Sequence, residues 1–129
     1  MKTETELDTV IKNLPNLPYN YGIDIDFYPS DKFLERLTKE YGIEFASVFN
    51  HHKKQHQFYF GDKNSVTINN SDGPVLIKHT HPNGTELPSI FDINWLKQTI
   101  SNGSPQKKSY ILPLGKKRSF FNIKSKFLS

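Results

Sequence analysis

The stretch HTHPNGTELPSIFD, residues 79–92, gathers side chains that can do chemistry at short spacing. His79 and His81 stand two residues apart, so in a strand both imidazoles project from the same face. Two imidazoles so placed can share one metal ion. A catalytic zinc site commonly takes three protein ligands and leaves a fourth position for water. Asp92 offers the third ligand, from the first turn of the helix that follows the PNGTELP turn. Ser89 stands three residues before it. Ser-x-x-Asp ahead of an apolar run is also a near-match to a helix capping box, in which Ser89 caps and Asp92 complements the helix dipole. With this chain's own composition, the full pattern His-x-His-x7-Ser-x2-Asp arises by chance in roughly one chain in a thousand of this length. That rarity favours a functional constellation over a histidine pair, a turn and a cap that merely adjoin.

His-x-His-Pro followed by Ser-x-x-Asp at this spacing resembles the JAMM motif of the JAB/MPN metallopeptidase superfamily, on His79, His81, Pro82, Ser89 and Asp92. The resemblance covers residues 25–125, by motif at the site and by element order elsewhere. It implies an α/β fold: a compact mixed β-sheet flanked by helices, an architecture broadly shared with cytidine deaminases. It also implies a catalytic glutamate at the start of a core strand just after the first helix of that fold. In YGIEFASVF that residue is Glu44. Glu40 is the alternative, but the pattern puts it on the solvated face of a helix, whereas Glu44 lies in an apolar stretch where an unpaired carboxylate is costly.

The implied activity is zinc-dependent hydrolysis of a peptide or isopeptide bond. His79, His81 and Asp92 would hold Zn²⁺, Glu44 would be the general base, and Ser89 would stabilise the oxyanion. The ligand set suits zinc and also other divalent ions. Members of the superfamily cleave ubiquitin-like proteins or process sulfur-carrier proteins. Compact members are toxin domains of bacterial polymorphic toxins, which would bring an immunity protein as partner. The expected location is the cytoplasm, or a target cell entered as part of a larger secreted toxin. Two other readings stay open: a catalytically inactive JAB-like binding module, and a basic toxin directed at nucleic acid.

The 129 residues fit one compact domain. Hydrophobic residues reach only 35%, but ten are Phe, which predicts a small, aromatic-rich core. The absence of cysteine excludes disulfides, zinc sites with thiolate ligands, and the Cys-ligated zinc deaminases. The His-Glu-x-x-His metalloprotease signature is also missing. No apolar run is long enough to span a bilayer. Residues 1–50 carry 9 acidic and 5 basic side chains, and residues 51–129 carry 4 and 12. The basic part reads as a solvated face or as a surface for an acidic partner, and no groove-reading motif accompanies it.

These residues need elements to position them. Residues 1–24 read as an N-terminal segment: a short helix in TELDTVIKNL, then a linker in NLPNLPYNYG. Residues 25–129 read as the metallopeptidase-like domain. Within it the patterning predicts a helix over 31–41, capped by Ser30 and stopped by Gly42. Strands are predicted in IEFASVFN, HQFYFGDK, SVTIN and PVLIKHTH. SIFDINWLKQTIS predicts a second helix of the domain, and SYILPLG and SFFNIKSKF a closing pair of strands. His51, His52 and His56 are expected to be exposed around a hairpin tip.

Overall fold

A computed structural model describes residues 1–13 and 22–128. The NLPNLPYNYG linker reading falls almost wholly outside the described residues. The elements are α1 (Glu4–Ile11), β1 (Ile23–Ile25), α2 (Asp31–Tyr41), β2 (Phe45–Asn50), β3 (Gln55–Phe60), β4 (Val75–His81), α3 (Ile90–Ser101), β5 (Ser109–Pro113) and β6 (Ser119–Phe121). The six strands form one sheet in the order β1-β3-β2-β4-β5-β6. Four neighbouring pairs are antiparallel, and β4–β5 is parallel. The fold is therefore α/β, a mixed sheet with three helices among the described residues. A parallel pair needs a crossover, and α3 supplies it.

Strand alternation sorts the core into two sides. Phe45, Phe58, Phe60 and Leu112 pack with Leu34 and Leu37 of α2 and with Leu7 and Ile11 of α1. On the opposite face Ala46, Val48, Tyr59 and Leu76 meet Ile68 and Trp95. Ile93 and Leu96 of α3 pack on Ile111 and Phe121. Each helix begins on a hydroxyl cap: Thr3, Ser30 and Ser89 accept from the backbone N–H three residues on. At the far end of α2, Gly42 adopts φ 68°, the left-handed conformation that glycine permits at a helix stop.

Three expectations differ from the structure. The segment SVTIN is not a strand. Asp62 accepts from the backbone N–H groups of Asn64 and Ser65, and this turn lifts the chain off the sheet. Gly61 allows it, because a Cβ there would collide with the Ser65 carbonyl. The segment then crosses the sheet face, burying Ile68, whose carbonyl accepts from Trp95 Nε1 at 2.8 Å. His56 is not a loop residue. It lies in β3 against the rings of Phe49 and Tyr28, and burial lowers its pKa. Finally, α1 is not held apart from the domain: Leu7 and Ile11 are fully buried in the main core.

Candidate metal centre

The site lies where the end of β4 meets the start of α3. His79 and His81 are on one side of β4, facing α3, with exposures of 1% and 7%. Their Nε2 atoms are 2.9 Å apart. The turn after β4 sets the second ring: His81 Nδ1 lies 2.8 Å from the Thr85 carbonyl. A carbonyl can only accept, so Nδ1 carries the proton and neutral His81 turns its Nε2 lone pair inward. Gly84, at φ 76°, makes that turn possible, and Asn83 Oδ1 accepts from Thr85 N to tighten it. His79 packs T-shaped against Phe121, and its Nδ1 has no hydrogen-bond partner among the described residues.

Asp92 comes from the first turn of α3. Its Oδ2 accepts from Ser89 N at 2.9 Å, while its own N–H donates to Ser89 Oγ at 3.0 Å. The capping box is complete. The same carboxylate also reaches the histidines, with Oδ1 3.4 Å from His79 Nε2 and Oδ2 3.5 Å from His81 Nε2. Capping and convergence on the histidines are thus two uses of one geometry.

Glu44 arrives from the other side. Antiparallel pairing sets Ala46 opposite His79, which brings Glu44 level with the end of β4. Its backbone is pinned by Glu44 N–H donating to Asp62 O and Gly61 N–H donating to Glu44 O. The side chain is 7% exposed. A carboxylate oxygen of Glu44 and one ring nitrogen of each histidine lie within 4.8 Å of one another. Glu40 is elsewhere: it is exposed on α2 and pairs with Arg36 at 3.5 Å.

The two carboxyl groups are driven apart electrostatically. Burial pushes Glu44 up to about 9, with the charges of Asp92 and then Asp62 adding to the shift. Burial also opposes ionisation of Asp92. There it is outweighed by the nearby His79 imidazole, by the contacts with His79 and His81 and by the Ser89 N–H, which together hold Asp92 well below the usual carboxylate range. Paired groups with opposed shifts in one cleft are a signature of functional sites.

These residues fit a metal ion. Two ligands of a tetrahedral zinc with bonds of about 2.0–2.1 Å stand about 3.3 Å apart. The three separations among His79, His81 and Asp92 are 2.9, 3.4 and 3.5 Å. Either carboxylate completes a three-ligand set, and Asp92 has the closer spacing to both rings. A cavity of about 530 Å³ opens over the cluster, with Glu44, His79, His81, Ser89 and Asp92 in its wall.

The structure thus brings together Glu44, His79, His81, Ser89 and Asp92. Sequence reasoning missed Thr85, whose contribution is a backbone carbonyl; the only signal was the Asn-Gly turn that aims it. It also missed the apolar wall of the cavity, formed in part by Val66, Phe91 and Trp95. Among the described residues no helix is long and apolar enough to cross a membrane. No family model, no curated protein and no solved structure matches the chain.

Proposed function

We propose that this chain is a zinc-dependent hydrolase of peptide or isopeptide bonds, with a JAMM-type site. The observation that carries the proposal is the meeting of two imidazole Nε2 atoms with two carboxyl groups of opposed acidity in one cleft. His79, His81 and Asp92 are the ligands. A zinc ion so held supplies a Lewis acid that polarises the scissile carbonyl and acidifies water.

The chain's own residues supply the rest. Glu44, on the opposite side of the histidine pair from α3, accepts a proton from the attacking water as oxygen bonds to the carbonyl carbon. It returns that proton to the nitrogen when the C–N bond breaks, leaving a carboxylic acid and an amine. Glu44 must be ionised to begin the cycle, and a neighbouring divalent cation favours its ionised form. Ser89 Oγ accepts from Asp92 N–H, so its own hydroxyl proton is free to donate to the developing oxyanion. Ser89 is not assigned as the nucleophile, since among the described residues no imidazole or carboxylate is hydrogen-bonded to its Oγ.

The test is metal analysis beside a hydrolysis assay on peptide and ubiquitin-like conjugates, with DNA and RNA in parallel. Wild type and Glu44→Gln are expected to hold about one zinc each. The variant should lose hydrolysis by about 10²-fold or more. His79→Ala and His81→Ala should lose the metal. Absence of metal in the wild type, or cleavage of nucleic acid alone, would overturn the proposal.

A further inference from the structure

The cavity over the cluster has one polar side and one apolar side, and the outer part of the apolar side is exposed instead of packed into the core. Phe91 is 80% exposed, although it directly precedes Asp92. Leu87 and Leu128 are exposed beside it and share the same cavity wall. The chain holds these residues together by backbone contacts. Leu128 N–H donates to the Pro88 carbonyl at 3.1 Å, and Leu128 bridges to Ser89. One helical turn beyond Phe91, Trp95 lines the cavity with its ring fixed by the bond to the Ile68 carbonyl. Val66 and Ile68 face it from the crossing segment.

Large apolar side chains exposed singly are ordinary, but a set of them around the mouth of a polar cleft marks a binding surface. The occupant is constrained by what lies at the floor. Leu76 and His79 line the same cavity as Phe91 and Trp95, so a group resting on the apolar wall is next to the histidine pair.

We propose that Leu87, Phe91, Trp95 and Leu128 form a subsite for a large apolar side chain, Phe- or Leu-like, of the residue beside the bond that is cleaved. This rests on the hydrolase reading for its role, though not for its binding. It sets a substrate class: a chain with a bulky apolar residue at the scissile bond, rather than one with only glycine there. A glycine would leave the wall in water and gain nothing from it. Sequestering a side chain of Phe size favours binding by about tenfold or more.

Trp95 is the only tryptophan of the chain, which makes the subsite self-reporting. The experiment titrates Trp95 fluorescence with N-acetyl-L-phenylalaninamide and with N-acetylglycinamide, in chelator and again with zinc. The expected result is a saturable response at least about tenfold tighter for the phenylalanine probe. It should weaken by about tenfold when Leu87→Ser and Phe91→Ser are combined. Both positions are exposed, so thermal midpoint and metal content should hold in the variant. No saturable response, equal affinity for the two probes, or a preference that survives the double substitution would overturn the subsite. Sedimentation closes off the other occupant: a dimer that dissolves in the double variant, with no probe response, would assign the face to a second copy. Peptide pools varied at one position separate the two proposals. Cleavage without preference for an apolar residue removes the subsite and keeps the hydrolase. Probe binding without cleavage of any peptide keeps the subsite and removes the hydrolase.

Discussion

The two sides of β4 carry polar residues in alternation, and they are treated differently. Lys78 and Thr80 face α2. Lys78, only 2% exposed, donates to Asp31 Oδ1 at 2.6 Å and lies over the Tyr28 ring. Thr80 Oγ1 accepts from Phe45 N–H at 2.9 Å and is bonded to Thr38 Oγ1 at 2.7 Å. His79 and His81 face α3, equally buried. Their Nε2 atoms confront one another, His79 Nδ1 is unpartnered, and Glu44 stands nearby with no hydrogen bond to its side chain among the described residues. Burial therefore does not distinguish the two sides of this strand; the convergence of imidazoles and carboxyl groups on one side does. Most buried polar groups that only build the fold find partners, because an unmade bond costs about 1–3 kcal/mol, and Ser47 Oγ and His56 Nδ1 are buried exceptions outside the site. A carboxyl group such as Glu44, buried beside two imidazoles and a second carboxylate, is held there by the rest of the fold at a cost to stability.

That cost should be readable by pH. Glu44 is the group most out of place, raised from 4.5 to about 9 chiefly by burial. Between those values the unfolded chain has released the proton that the folded chain retains. Stability of the metal-free protein must then fall as pH rises through this window, by about 3 kcal/mol between pH 4.5 and 7. Asp92 has the opposite sign, since its pKa is lowered from 3.8. Its contribution is complete above the unfolded value and is lost only as pH falls below it, so between 5 and 9 the falling slope belongs to Glu44, while His56, whose pKa burial lowers, adds a slope of the opposite sign at the acid end. Denaturant melts in chelator should show wild type weakening across that window, with Glu44→Gln lacking this decline. Parallel slopes would mean that Glu44 is not held protonated and would erase the contrast between the two sides of β4.

The saturated side breaks differently. Asp31→Ala would leave the Lys78 ammonium buried without its carboxylate. Removing one partner of a fully buried pair costs about 3–5 kcal/mol. Asp31 is about one-third exposed, and Arg118 lies on its other oxygen at 3.7 Å, so about 2 kcal/mol is expected here. This loss should appear at every pH from 5 to 9, and zinc content should not change. A change in zinc content with Asp31→Ala would show that the two sides are coupled through the strand.

Much of this division was legible in the sequence because both sides obey period two. HTH assigns its imidazoles to one face whatever the neighbours do, and SIFD and PSDK declare their caps by residue type alone. Glu44 stood out over Glu40 because a carboxylate among Ile43, Phe45 and Ala46 has nowhere solvated to go. What escaped depends on contacts far apart in the chain. SVTIN has strand composition, but the Asp62 turn and the restriction at Gly61 turn it across the sheet instead of into it. The burial of α1 depends on Leu7 and Ile11 meeting Phe45 and Phe58, which no local pattern specifies. The Thr85 contact is made by a backbone carbonyl, so the residue type gives no sign of it. Phe91 is by type one more apolar residue of α3, and only its exposure beside Asp92 separates it from Ile93 and Leu96.

The smallest expected effect on stability sharpens the comparison most at Ser89. Ser30 and Ser89 are matched caps: Ser30 Oγ accepts from Phe33 N–H at 3.1 Å, and Ser89 Oγ from Asp92 N–H at 3.0 Å. Replacing either by Ala should cost about 1 kcal/mol, while Gly, itself an acceptable cap, should cost only a few tenths. Ser89→Gly therefore removes the hydroxyl with the helix start nearly intact. Thermal midpoints should be close to wild type for both glycine variants. Hydrolysis should be unchanged in Ser30→Gly and should fall by about 10²-fold in Ser89→Gly if the hydroxyl serves the oxyanion. Equal activity in the two variants would reduce Ser89 to its cap. The polar work at the start of α3 beyond the helix would then fall to Asp92, whose carboxylate is the group that reaches both histidines.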